Sequence, residues 1–460
     1  MMRIPAFIDS HAHMMGIGYY EEIININKVE SITDIIDLLN KKDLGILIAR
    51  GFNQDNLIEK RMPTKNDLLS IKKPVALFRI CGHVAVVNQE MLDLMNINEG
   101  YKQIEGGSFD YKTGTFSEKA LALIYQALPK PSKEDLKRYL INANRILLEN
   151  GITKIATDDF SSFNVPYELV IEAINEVDQE GLLDVEITEQ VNLPIEQLRD
   201  FINKGYVNKK FGKLKMGPLK ILADGSLGGK TAALNKPYED ELGNTGILTF
   251  SDNELSELVE TAMSRDMDCV VHAIGDRTTD QVIKTFKKAQ DKYPDKTPNN
   301  AIIHAQITNK RQIELMKEYS ISAIVQPIFI NSDIKIVKER IGQRSEESYL
   351  FKTMFDNISL GFSTDSPVEP VNPFKNIYCA VSRKSIDFPQ FEEFNKEEKF
   401  TVDEALKAYS VNNLSFVYEE EINDYIEIDK DIFSAEMEEI KDILVLKTYI
   451  NGKLVYERKN

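Results

Sequence analysis

The 460-residue chain is poor in two residue types that carry much of protein chemistry, with three cysteines and five histidines. Cys81, Cys269 and Cys379 are odd in number, far apart and never spaced as C-x-x-C, which argues against a disulfide framework and against a cysteine-based zinc site. No apolar run approaches the ~18 residues that a membrane span requires. No stretch gathers lysine and arginine on one face, and a formal net charge of −17 opposes contact with phosphate backbones or anionic lipid. The N-terminal MMRIPAFID lacks the apolar core and cleavage site of a signal peptide. Repeats and low-complexity linkers are missing too. These absences point to a cytoplasmic protein with neither nucleic acid nor membrane as partner.

What the chain does contain is a series of short runs rich in Val, Ile and Leu, bounded by turn residues and separated by long amphipathic segments. Eight of them read as strands of one parallel sheet: Ala6 to His13, Ile152 to Thr157, Leu183 to Val191, Pro218 to Gly225, Asp268 to Gly275, Ala301 to Gln306, Ile321 to Pro327 and Ile358 to Asp365. Helical patterns such as NELSELVETAMSRDM and RQIELMKEYS supply the crossovers, so the expected fold is α/β, a (β/α)8 TIM-type barrel over residues 1–415. An open doubly wound sheet is the alternative. Residues 14–150 are too long for a connection and are expected to form an inserted subdomain over the barrel mouth. Residues 416–460 end in alternating apolar runs around Asn451-Gly452, a hairpin signal, and are expected to be the remnant of a small β-sandwich domain.

The scarce histidines are not scattered. His11 and His13 stand two apart in FIDSHAHM, so on a strand both face the same way. Alone, such a pair fits a hydrogen-bonded strand end as well as a metal site. His272 ends CVVHAIGD and His304 ends AIIHAQ, and in a barrel those strand ends converge on the face where active sites are built. Four imidazoles there suit a transition metal better than core filling. Asp365, in FSTDSP, ends the eighth run and could bind metal and accept a proton. Lys220 is a charged residue in the apolar run GPLKILADGS.

Taken together, FIDSHAHM, PLKILADGSLGGKTAAL, VVHAIGDR, IIHAQ, VQP and FSTDSPV resemble the amidohydrolase superfamily. The closer likeness is to the amidohydrolase-3 branch, which includes YtcJ-like hydrolases and N-substituted formamide deformylase. The resemblance implies that His11 and His13 bind a first metal, that His272 and His304 bind a second, and that Lys220 is N-carboxylated and bridges the two. It implies that Asp365 activates the hydrolytic water and that His83, in FRICGHVAVVN, lies near the substrate. The cofactor so implied is a divalent transition metal, zinc foremost, as one or two ions. Asp276 and Arg277 are expected to orient the histidine ligands or to form a salt bridge, and Arg50, Asn53 and Arg79 to line the pocket.

The same likeness marks a departure. Relatives carry several dozen residues ahead of the first histidine pair, forming half of a small β-sandwich, so here that domain is expected to be reduced to its C-terminal half. Its strands would then pair with the barrel or with another subunit, which leaves a homo-oligomer (dimer) open. The expected reaction is hydrolysis of an amide-like C–N bond, other than a peptide bond, in a small organic molecule. Asp365 is the expected general base, and His83, or another loop residue, is expected to hold the developing oxyanion. Alternatives in the same kind of site are hydrolysis of an ester, lactone or phosphoester, or an isomerisation; a non-catalytic metal-binding regulatory relative is the alternative from another class. A phosphate loop at GSLGGKTA is opposed by Asp224, which occupies the position of its first glycine. Ser226 lacks a G-x-S-x-G frame for the same reason.

Overall fold

The computed structural model describes residues 2–459. Eight parallel strands form the barrel: Phe7–Ala12, Ile152–Thr157, Glu186–Val191, Leu214–Leu222, Cys269–Ala273, Ala301–His304, Ser322–Val325 and Leu360–Phe362. They pair in sequence order, first with second through seventh with eighth. The open doubly wound alternative, which would need a reversal of strand order, does not occur. Six of the eight apolar runs extend past the end of their strand, and those last residues leave the ladder at the carboxyl end. Helices such as Lys133–Glu149, Asp252–Met263 and Lys310–Glu318 start on capping boxes at Ser132, Ser251 and Asn309, which satisfy their first free amides. Their apolar faces bury Leu140, Leu255 and Ile313 against the sheet.

The first and eighth strands meet without a regular ladder, and buried polar side chains close the seam instead. Ser10 Oγ donates to Phe362 O at 2.9 Å, and Asp365 N donates to His11 O at 3.0 Å. The Asp9 carboxylate accepts from Thr364 N at 3.1 Å and from Thr364 Oγ1. From below, Asn413 Nδ2 donates to both Ile8 O and Phe362 O, one from each strand. Asn413 lies in the turn Val411–Phe416, whose Leu414 packs with Val417 against Ile8 and Ala156 across the bottom of the barrel.

Two further sheets flank the barrel. Six strands within residues 24–118 form a mixed sheet, Ile24–Asn25, Leu47–Phe52, Val75–Arg79, Val84–Val87, Thr115–Glu118 and Gly107–Asp110 in spatial order. One face packs on Ile35 and Leu39 and the other on Met91 and Ile124. Four antiparallel strands form the small sheet, Met2–Pro5, Tyr425–Ile428, Val445–Ile450 and Lys453–Glu457. It draws on both ends of the chain, not on the C-terminal part alone. Met2–Pro5 is too short, and ends in proline, so it gives no strand pattern of its own; its partner Tyr425–Ile428 holds it. The division expected at residue 416 cuts through the bottom plug, since Val417 O accepts from Thr188 Oγ1 of the third barrel strand at 3.2 Å. Asn451 and Gly452, at φ 48° and 78°, make the hairpin turn in the left-handed conformation their sequence favours. No helix among the described residues is long and apolar enough to cross a membrane.

The seam generates a prediction. Asn413→Ala removes a donor shared by two buried carbonyls, and the loss expected in urea unfolding is roughly 1–3 kcal/mol. An unchanged unfolding midpoint would show that the ladderless seam needs no side-chain closure.

Candidate active site

Six residues singled out in the sequence come together at the carboxyl ends of the barrel strands. His11 Nε2 and His13 Nε2 each lie 3.2 Å from Asp365 Oδ1, and one ligand atom from each of the three falls within 4.8 Å of the others. Lys220 Nζ is 3.0 Å from His11 Nε2. On the opposite side, His272 Nδ1 faces His304 Nε2 at 2.9 Å. All are buried except His13, which is half-buried. His304 and Asp365 hold positive φ of 75° and 55°, uncommon for residues with a Cβ and a form of strain that gathers at functional sites.

Hydrogen bonding fixes which nitrogen of each ring carries the proton. His11 Nδ1 lies 2.7 Å from Gln190 Oε1, and Gln190 Nε2 donates to Ser10 O, so the amide can only offer its oxygen to the ring. His304 Nδ1 meets Gln326 Oε1 at 2.7 Å, while Gln326 Nε2 donates to Ser363 Oγ. His13 Nδ1 faces the Asp158 carbonyl at 3.3 Å, and His272 Nε2 faces the Gly225 carbonyl at 3.0 Å. Every one of these partners is an acceptor, so each ring donates there and carries its lone pair on the other nitrogen. Those lone pairs point at one another across the His272–His304 contact, and at a carboxylate oxygen in the His11–His13–Asp365 group. Burial, with the nearby Lys220 charge, pulls His11 down to about 4, and burial with His272 beside it lowers His304 well below the imidazole range. On His13 burial is opposed by hydrogen bonding to the Asp365 carboxylate, which works the other way and raises it. Imidazole lone pairs that converge in this way suit a divalent cation, and without one between them they would repel. Burial also pulls the Lys220 ammonium down to about 8.

The six-stranded sheet completes the site. Asn53, Arg79, Cys81 and His83 join His272, His304 and Asp365 around a narrow cavity of about 50 Å3. His83 lies with its ring centroid 5.0 Å from that of His272, and its Nδ1 lies 2.9 Å from Glu118 Oε2. Burial opposes a charge on His83, but the Glu118 carboxylate outweighs it and pushes the imidazole up to about 9. Its Nε2 has no hydrogen-bond partner among the described residues. Arg50, in contrast, does not line the cavity; its Nη2 donates to Ile80 O at 3.3 Å.

A family model described as the amidohydrolase family matches residues 1–456. The chain belongs to the amidohydrolase family. Over 480 residues it is 29% identical to YtcJ of Bacillus subtilis (strain 168), provisionally named an amidohydrolase, covering 99% of this chain and 89% of that protein. It is 21% identical to the N-substituted formamide deformylase of Arthrobacter pascens over 99% of this chain and 88% of the relative. Among solved structures, an uncharacterised metal-dependent hydrolase from Pyrococcus horikoshii OT3 superposes with a TM-score of 0.76 at 30% identity, covering 95% of this chain and 87% of that one.

This amidohydrolase holds its histidines through residues that the sequence reading did not single out. Gln190 and Gln326 end the third and seventh strand runs, at the positions where the first, fifth and sixth carry histidine. Asp224 accepts from Ile274 N at 3.0 Å, Gly275 N at 2.8 Å and Thr278 Oγ1 at 2.8 Å, which fixes the loop that follows His272. Asp276 and Arg277 do not orient the ligands. Asp276 accepts from Asn235 N at 2.9 Å and Arg277 donates to Thr245 O at 3.3 Å, because helix Asp276–Lys292 begins there and carries both outward.

The same cavity contains Glu369, a buried carboxyl that burial first, and then Asp333, Asp387 and Asp365, push up to about 8. A carboxyl whose folded value is raised costs no stability while protonated in both states, and the cost grows from the unfolded value near 4.5 up to about 8. Relative to Glu369→Gln, wild-type stability should therefore fall as pH rises from 5 to 8.5 in urea titrations at each pH. A constant difference, or a rise, would contradict that environment.

Proposed function

We propose that this amidohydrolase is a metal-dependent hydrolase that cleaves a non-peptide, amide-like C–N bond of a small organic molecule. The observation that carries the reading is the convergence of four imidazole lone pairs with Asp365. Those residues fit a divalent metal, zinc foremost, with His11, His13 and Asp365 as one ligand group and His272 with His304 as the other. The metal-dependent hydrolase of Pyrococcus horikoshii and the formamide deformylase of Arthrobacter pascens support the choice of chemistry.

A divalent ion held there supplies Lewis acidity, which polarises a carbonyl and acidifies water. Lys220 is the residue for carboxylation: buried and easily neutral, its amine would add to CO2, release a proton and become a carbamate, replacing a cation that repels metal by an anion that could hold it. Asp365 accepts the proton of the attacking water at a carboxylate oxygen and delivers it to the departing nitrogen. His83, held at Nδ1 by Glu118 and free at Nε2, donates from Nε2 to the oxyanion that forms on the carbonyl. Glu118, also at positive φ (52°), was not singled out in the sequence and acts through His83.

On an N-formyl or N-acyl compound that wild type hydrolyses, Asp365→Asn should lower kcat by about 10²–10⁴-fold. Wild-type kcat in Asp365→Asn would remove Asp365 as the base.

A further inference from the structure

One wall of the cavity is acidic, and the hydrolytic chemistry leaves it unused. Ser332 and Asp333 close the short helix Phe329–Asp333 after the seventh strand, and Glu369 follows Asp365 by four residues. Asp333 accepts from Gln306 Nε2 at 2.7 Å and from Tyr349 Oη at 2.8 Å, both at Oδ2. Glu369 accepts from Ser332 Oγ at 2.8 Å, at Oε1. The second oxygen of each, Asp333 Oδ1 and Glu369 Oε2, has no hydrogen-bond partner among the described residues. Neither carboxyl has a lysine, arginine or histidine within ion-pair distance among those residues. Glu369 is only 7% exposed and lines the cavity.

An enclosed carboxyl without a counter-charge is costly, and two in one wall repel each other. Burial first, opposed by the hydrogen bond from Tyr349, the charge of Arg79 and the hydrogen bond from Gln306, raises Asp333 to about 6, so both groups resist ionisation as the protein stands. Arg79 lines the same cavity but is committed elsewhere: its Nε donates to Gln54 Oε1 at 2.8 Å, its Nη2 to Asn53 Oδ1 at 3.3 Å, and Asp55 lies 3.7 Å away. Among the described residues, no cation of the chain pairs directly with either free oxygen, which leaves the place open to a cation from outside. An ammonium has three donors and a full charge, which matches two free carboxylate oxygens beside a polar hydroxyl.

We propose that Asp333 and Glu369 form the recognition subsite for a cationic nitrogen that the substrate carries away from its scissile bond. The substrate class is then N-acylated diamines and related basic amides. This rests on the reading that the cavity hydrolyses a C–N bond. A neutral alkyl end in the same place would leave both carboxyls buried and unpaired, and a site built on polar groups rejects ligands that leave them so.

The test compares N-(4-aminobutyl)acetamide with its uncharged counterpart N-pentylacetamide by isothermal titration calorimetry on the metal-loaded Asp365→Asn protein, in which turnover is suppressed. The charged compound should bind at least about tenfold more tightly, and adding Asp333→Asn and Glu369→Gln together should reduce that preference to less than about threefold. Equal binding of the two compounds, no binding of the charged one, or a preference that survives both substitutions overturns the proposal. Failure of the hydrolytic reading looks different: wild type leaves both compounds intact by mass spectrometry while the binding preference persists.

Discussion

Four imidazole rings at one end of the barrel each give up one nitrogen to a partner that can only accept. Gln190, Gln326 and the carbonyls of Asp158 and Gly225 accept hydrogen bonds from those N–H groups, and the remaining lone pairs are left pointing inward. An arrangement of this kind repels itself unless a cation, or protons, sit among the donors. The strand ends that carry it, the seam that holds the first strand to the eighth, and the sheet that walls the cavity all serve to hold the rings against that repulsion.

The barrel provides the geometry at low cost in sequence. Strand periodicity turns His11 and His13 to the same side, and parallel pairing sets His272 and His304 on adjacent strands. The seam does the harder task. Asp9 binds Thr364 while Asp365 N binds His11 O, so the carboxylate and the first histidines move as one unit across a junction that has no ladder. The left-handed backbone at His304 and Asp365, and at Glu118 behind His83, is affordable only where the surrounding packing enforces it.

Much of this was legible in the sequence, for a physical reason. A parallel strand buried on both faces reads as a short Val, Ile and Leu run, so all eight were visible, and a polar residue ending such a run is conspicuous in proportion to its rarity. That is why the histidines, Lys220 and Asp365 stood out, whereas Gln190 and Gln326, at equivalent strand ends, did not: a glutamine has no chemistry to announce until its partner is in view. Glu118 and Glu369 were hidden because their roles depend on contacts across long sequence separations. Asp276 and Arg277 misled through adjacency, since one helical turn beyond a strand end already faces elsewhere. Arg50 did so too, although Asn53 and Arg79 of the same segment reach the cavity. The strand Met2–Pro5 exists only because Tyr425–Ile428 pairs with it, and no local pattern encodes that.

The central claim is that the inward lone pairs are metal ligands. Crystals of the metal-loaded protein, measured across the absorption edge of the ion found by elemental analysis, test it most directly. The account predicts anomalous density between His11, His13 and Asp365 and between His272 Nδ1 and His304 Nε2, with added carbamate density on Lys220. Protein that retains no transition metal, or anomalous density lying away from these side chains, would contradict it.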